Sequence, residues 1–137
     1  MYLVTNKKVC FSINTLKQAN ELIQELKNHK KNPIIYINNY LVIRLGLDWL
    51  IIFRDSLIKK FGISAFKFYV NAGYDYGLCV LLIKNKFQFI KIKSNKSILK
   101  KIKQIADKNK VLLNPSFRVI NLLNIKNIKR KISKFYK

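Results

Sequence analysis

Acidic residues are scarce in this chain: six Asp and Glu stand against 28 Lys and Arg, for a formal net charge of +22 over 137 residues. Histidine occurs once and cysteine twice. Cys10 and Cys79 lie far apart in apolar runs, with no second Cys or His at ligand spacing, which reads as two buried thiols rather than a disulfide or a zinc pair. His29 falls in a basic helix-end segment and reads as a C-terminal capping cation. Of the carboxylates, Glu21 and Glu25 read as lying on the solvent-facing part of the first helix, and Asp107 ends the fourth. No Ser-His-Asp or Cys-His set can be assembled at one end of the fold, so no catalytic residue, metal site or cofactor is expected. With four glycines, the chain has neither a Gly-x-Gly-x-x-Gly turn nor a Walker loop.

Long hydrophobic runs are also missing. The most apolar stretch, residues 41–53, is interrupted by Arg44 and Asp48, which excludes a membrane span there. Residues 1–8 lack the basic region and apolar block of a secretory leader, so a cytoplasmic protein is expected.

What the chain does have is a half-apolar composition, enough to bury one core without disulfides, and a regular alternation of strand and helix patterns. Residues 9–13 form a short apolar run. Thr15 and Gln18 then make a capping-box signal ahead of Leu16, Ala19, Leu22, Ile23 and Leu26 at helical spacing. Pro33 opens the run 34–37, which fits a strand buried on both faces. A helix follows from about Leu47 to Gly62, and residues 40–46 before it read either as a lid or as an extra helical turn. Strand patterns recur at 65–71, 87–92 and 111–113. Helices run between them from Asp75 and from Ser94-Asn95.

This alternation predicts an α/β fold of four to five parallel βα units, arranged as an open flavodoxin-like sheet or a partial TIM-type barrel. Residues 1–116 form that domain, and residues 117–137 are expected to be a basic amphipathic helix.

The stretch 66–77 is the candidate site, because the end of a strand turning into a helix is where an α/β protein offers backbone N–H groups to an anion. Asn71, Gly73 and Asp75, with Asn38 and Asn39 from the neighbouring strand end, are the candidate ligand-binding residues, and a small anionic ligand is the expected partner. A purely architectural reading is also open: Gly73 makes a tight turn, Asp75 caps the helix and Gly77 lets it approach the sheet.

The basic excess has two readings as well. Residues 84–137 hold 17 of the 28 basic side chains and one of the six acidic ones. Lys126, Lys129, Arg130, Lys131 and Lys134 in the last helix are candidates for nucleic-acid or other anion contact. Against a dedicated nucleic-acid reader, only four basic residues are Arg, and the abundance of Lys, Ile and Asn is what A/T-rich codons produce.

Gly46 followed by Trp49, and the loop Gly73, Asp75, Gly77 after a strand, resemble a family of small alphaproteobacterial α/β proteins of unassigned function. That family is distantly similar to part of the class II fructose-bisphosphate aldolase type of (β/α) barrel. Aligning the aldolases' His-x-Asp-His-Gly segment on Gly73 places Tyr69, Asn71 and Ala72 where that family has a histidine, its catalytic aspartate and a metal-binding histidine. Only Gly73 carries over, so the resemblance implies a barrel-like fragment without aldolase activity. Four or five units are too few to close an eight-stranded barrel, and a half-barrel would expose a sheet edge and an apolar face, so rearrangement into an open flavodoxin-like sheet or a homodimer is expected. The expected function is non-catalytic binding of a small ligand or protein partner at the C-terminal strand ends. RNA or ribosome association through residues 84–137 and an enzyme acting on a phosphorylated metabolite are the alternatives.

Overall fold

The computed structural model describes residues 8–136. Residues 1–7, most of the stretch read for a leader, and Lys137 lie outside the described residues. The chain runs β1 (Val9–Ser12), α1 (Leu16–Asn28), β2 (Ile34–Ile37), α2 (Asn39–Phe61), β3 (Lys67–Asn71), α3 (Tyr76–Lys84), β4 (Phe89–Lys91), α4 (Lys96–Lys108), β5 (Leu112–Leu113), β6 (Arg118–Asn121) and α5 (Ile128–Phe135). The six strands form one open sheet in the order β5-β4-β3-β2-β1-β6, every pair parallel.

The first five strands are neighbours in chain order, with no reversal of the kind that gives a flavodoxin-type sheet its switch point. Right-handed crossovers between successive neighbours place α1 to α4 on the same face, which is the winding of a (β/α) barrel. The core agrees. Phe11, Ile13, Ile35, Ile37, Phe68, Val70, Ile90 and Ile92 alternate along the strands and share one buried cluster with Leu22, Leu50, Leu82 and Ile102 from the helices. The intervening residues Cys10, Tyr36 and Tyr69 form a separate small cluster on the opposite face.

The sheet is curled. β5 and β6 occupy opposite edges, yet only residues 114–117 join them. Five Cα steps span at most roughly 19 Å, whereas the edges of a flat six-stranded sheet lie about 24 Å apart. The linker therefore crosses the concave face. Phe117 packs there edge-to-face on Tyr69 and Phe89, with ring centroids 5.5 and 4.9 Å apart.

Residues 40–46 are helical, as one of the two readings has it. They belong to α2, which breaks at Gly46 (φ 88°, ψ 164°), a backbone conformation open to glycine alone. The C-terminal segment departs from expectation. Residues 118–121 are a strand, not the start of a helix, because β1 otherwise has an unpaired edge, and Val9 to Ser12 pair with Arg118 to Asn121 along its length. Gln18 fixes the exit of β6: its Nε2 donates to the carbonyls of Leu122 (2.9 Å) and Leu123 (3.1 Å), while its Oε1 accepts from the Asn14 N–H (2.7 Å).

The basic helix is confined to α5, capped by Asn127, and it docks on α1 with Ile128 and Ile132 buried. That docking also overturns the solvent-facing placement of Glu25, which is buried at the α1–α5 junction. If α5 is an integral part of the core, Ile132→Ala should lower the unfolding free energy by about 2–4 kcal/mol in urea titration. Lys131→Ala on the same helix should change it by less than about 0.5 kcal/mol.

Candidate functional site

The parallel registers align side chains in rows across the concave face. Ser12, Tyr36, Tyr69 and Phe89 form one row over four strands, and Asn71 and Lys91 are paired one step nearer the C-terminal ends. The βα turns above them hold most of the residues singled out from sequence. Asn38 donates from Nδ2 to the Ser12 hydroxyl (2.9 Å), and Asn39 donates to the Asn71 carbonyl (3.0 Å). Asn71 donates from Nδ2 to the Tyr36 hydroxyl (2.9 Å), and its Oδ1 accepts from the Gly73 N–H (2.8 Å).

Gly73 adopts φ +65°, and a Cβ there would come within 3.1 Å of the Asn39 side chain. Asp75 stands apart from this network, exposed, accepting from the Leu78 N–H (2.9 Å) as the N-cap of α3. Four of the five candidates are thus brought together, and the hydrogen bonds of Asn39 and Asn71 brace the strand ends.

Beside the network, a cavity of about 490 Å³ opens between the C-terminal ends of β2 to β4 and the linker 114–117. Tyr36 belongs to both. The rest of the lining includes Tyr69, Lys91, Lys93, Ser94 and Asn114 as polar groups, with Leu99, Phe117 and Val119 as apolar ones. Of these, only Tyr69 lies within the stretch 66–77 that the sequence marks as the candidate site, and none is among the five candidate ligand-binding residues. The signal that could have found them is the row pattern: Tyr36, Tyr69 and Lys91 occupy the strand positions that alternate away from the helix-facing core.

Tyr69 is 4% exposed and lines the cavity. Burial, reinforced by the nearby Tyr36 and Cys10, pushes its ionisation up to about 12. Tyr36 is raised by burial, against the Asn71 hydrogen bond and with Cys10 adding to the rise. Burial likewise pushes the Cys10 thiol up to about 12. The floor of the cavity is therefore neutral and donor-bearing, and its rim carries the ammonium groups of Lys91 and Lys93.

A second opening, of about 370 Å³, lies at the N-terminal strand ends beside Lys31, Lys67 and Tyr136. Its rim begins at Lys8, where the described chain starts, and in singly wound α/β folds that end carries stability rather than ligands.

The basic candidates lie elsewhere. Lys126, Lys129, Arg130, Lys131 and Lys134 are all exposed, and Lys126 and Lys129 share a shallow groove with Glu21 and Glu25 of α1. His29 is the C-cap of α1, 3.5 Å from Glu25. Among the described residues no group of three or more His, Cys, Asp or Glu comes together, and no helix is long and apolar enough to cross a membrane. No protein-family model matches this chain, and no curated protein matches it significantly.

Two outcomes follow from this geometry. Gly73→Ala should cost about 1–3 kcal/mol in urea unfolding through left-handed strain and the clash with Asn39. Gly77→Ala, whose Cβ would meet nothing nearer than 3.6 Å, should be neutral or stabilising. Folding favours the neutral forms of Cys10 and Tyr69, because their folded-state values lie above the ordinary 9.0 and 10.0. That contribution is complete below pH 9.0 and is lost as the pH climbs to about 12. Tyr69→Phe should lose less stability than the parent between pH 10 and about 12.

Proposed function

We propose that this protein is a binding domain for a small anionic metabolite, held in the cavity at the C-terminal strand ends. The observation that carries the reading is the convergence of Tyr69, Lys91 and Lys93 on one cavity at the C-terminal strand ends. A tyrosine hydroxyl that lines the cavity can donate to a ligand oxygen, a hydrogen bond worth about 1.5–3 kcal/mol when that oxygen is charged. The lysines supply attraction, and the neutral floor supplies donors without a competing negative charge. The position supports the same reading, since singly wound parallel sheets use their C-terminal face for ligands.

Binding without turnover is the form of the proposal. Cys10 is buried and strongly favours the thiol, which makes it a poor nucleophile. Single winding also supports distant kinship with part of a (β/α) barrel.

A thermal-shift screen of phosphorylated and carboxylated metabolites tests the reading. A ligand at a hundredfold excess over its Kd should stabilise the fold by about 2.7 kcal/mol. The shift should vanish in a Lys91→Ala/Lys93→Ala variant and persist in Lys100→Ala/Lys101→Ala, which alters the exposed face of α4. A shift that survives the first double substitution, or no shift with any compound, overturns it.

A further inference from the structure

The cavity lining combines two chemistries. Lys91, Lys93 and Ser94 are its cationic and hydroxyl-bearing members, while Phe117, Leu99 and Val119 are apolar. Resting on the reading of this cavity as an anion-binding site, we propose that its ligand is a nucleoside monophosphate, met either free or as the 5′-phosphorylated end of an RNA strand.

Three observations converge on a phosphate monoester joined to a flat ring. The first is charge. A phosphate monoester carries about −1.5 to −2 at neutral pH, which matches the two ammonium groups of Lys91 and Lys93 where a single carboxylate would not. Lysine binds phosphate as a point charge and needs no bidentate geometry. The second is a placed donor. Tyr69 is 4% exposed, carries a hydroxyl, and lines the cavity together with the lysines and Ser94.

The third is the ring wall. A cavity of about 490 Å³ is far larger than inorganic phosphate needs and falls in the range of about 300–1,000 Å³ that holds a drug-sized molecule. Phe117 is half-buried and clamped at 89° to Tyr69 and 81° to Phe89, so its orientation is fixed before any ligand arrives. A fixed aromatic wall beside a cation pair suits base stacking, which tolerates any base. The two sources share this chemistry. An RNA end has a further attraction in the exposed lysines of α4, Lys96, Lys100 and Lys103, which follow Ser94 in the chain.

Calorimetric titration of the full chain with AMP, adenosine and inorganic phosphate at physiological salt decides the matter. AMP should bind at least tenfold more tightly than either fragment. Phe117→Leu, which keeps apolar bulk without a ring, should weaken AMP about tenfold and leave inorganic phosphate unchanged, while Phe117→Tyr should retain AMP binding. Circular dichroism of each variant reports whether the linker still packs.

Equal affinities for AMP and inorganic phosphate would remove the ring seat and overturn this proposal while the anion site stands. Equal affinities for AMP and adenosine would overturn both. No binding of the three overturns this proposal alone, since the metabolite screen judges the anion site independently. Pentauridylate with and without a 5′ phosphate separates the sources. A tenfold preference for the phosphorylated strand supports the RNA end, and AMP binding without that preference supports the free nucleotide. Equal binding of both strands with none of AMP means that the basic surface alone holds RNA, and overturns the proposal.

Discussion

The packing of Phe117 against Tyr69 and Phe89 is the contact on which the rest of the architecture depends. It holds a four-residue linker across the concave face of the sheet, and a linker that short can reach from β5 to β6 only if the sheet is curled. The curl brings the sixth strand onto the free edge of β1 and carries α5 to its place on α1. The same ring covers part of the concave face, so Cys10, Tyr36 and Tyr69 are buried on a side that an open sheet would leave wet. The cavity is what remains between this plug and the strand ends.

Asn71 is the counterpart of that plug on the backbone side. Its side chain joins β3 to the Tyr36 hydroxyl of β2 and closes the turn at Gly73, and its backbone carbonyl accepts from the Asn39 side chain. The left-handed turn at Gly73 and the close approach of Asn39 make this a junction with little room to vary. The elbow braces the cavity at the strand ends rather than lining it, and Tyr36 is the residue common to both.

Charge plays a different part. Among the described residues, the Lys and Arg side chains form two ion pairs, both with a largely exposed aspartate, so the surface lysines repel one another with little local compensation. Stability rests on the apolar cluster that the helices share with the sheet. The unbalanced positive charge gives the surface a field that attracts anions.

The succession of parallel βα units was legible in the chain because it depends on local signals. Apolar runs such as 34–37, caps at Thr15, Asp75 and Asn95, and the helical spacing in α1 and α4 all act within a few residues. The elbow at Gly73 was legible for the same reason, since a glycine after a strand and an aspartate before a helix carry their meaning locally. The strand 118–121 was not: two β-branched residues between Arg118 and Asn121 signal little until the edge of β1, more than a hundred residues earlier, offers them a partner.

The burial of Glu25 escaped for a like reason, because it is decided by a helix at the other end of the chain. The cavity is tertiary throughout. Tyr36, Tyr69, Lys91 and Phe117 come from four separate segments, and only register, curl and the crossing linker set them around one space. By itself the sequence determined the local elements and their order, which short-range sterics and periodicity govern. The winding, the sixth strand and the site were decided by long-range packing, in which each residue's role depends on distant ones.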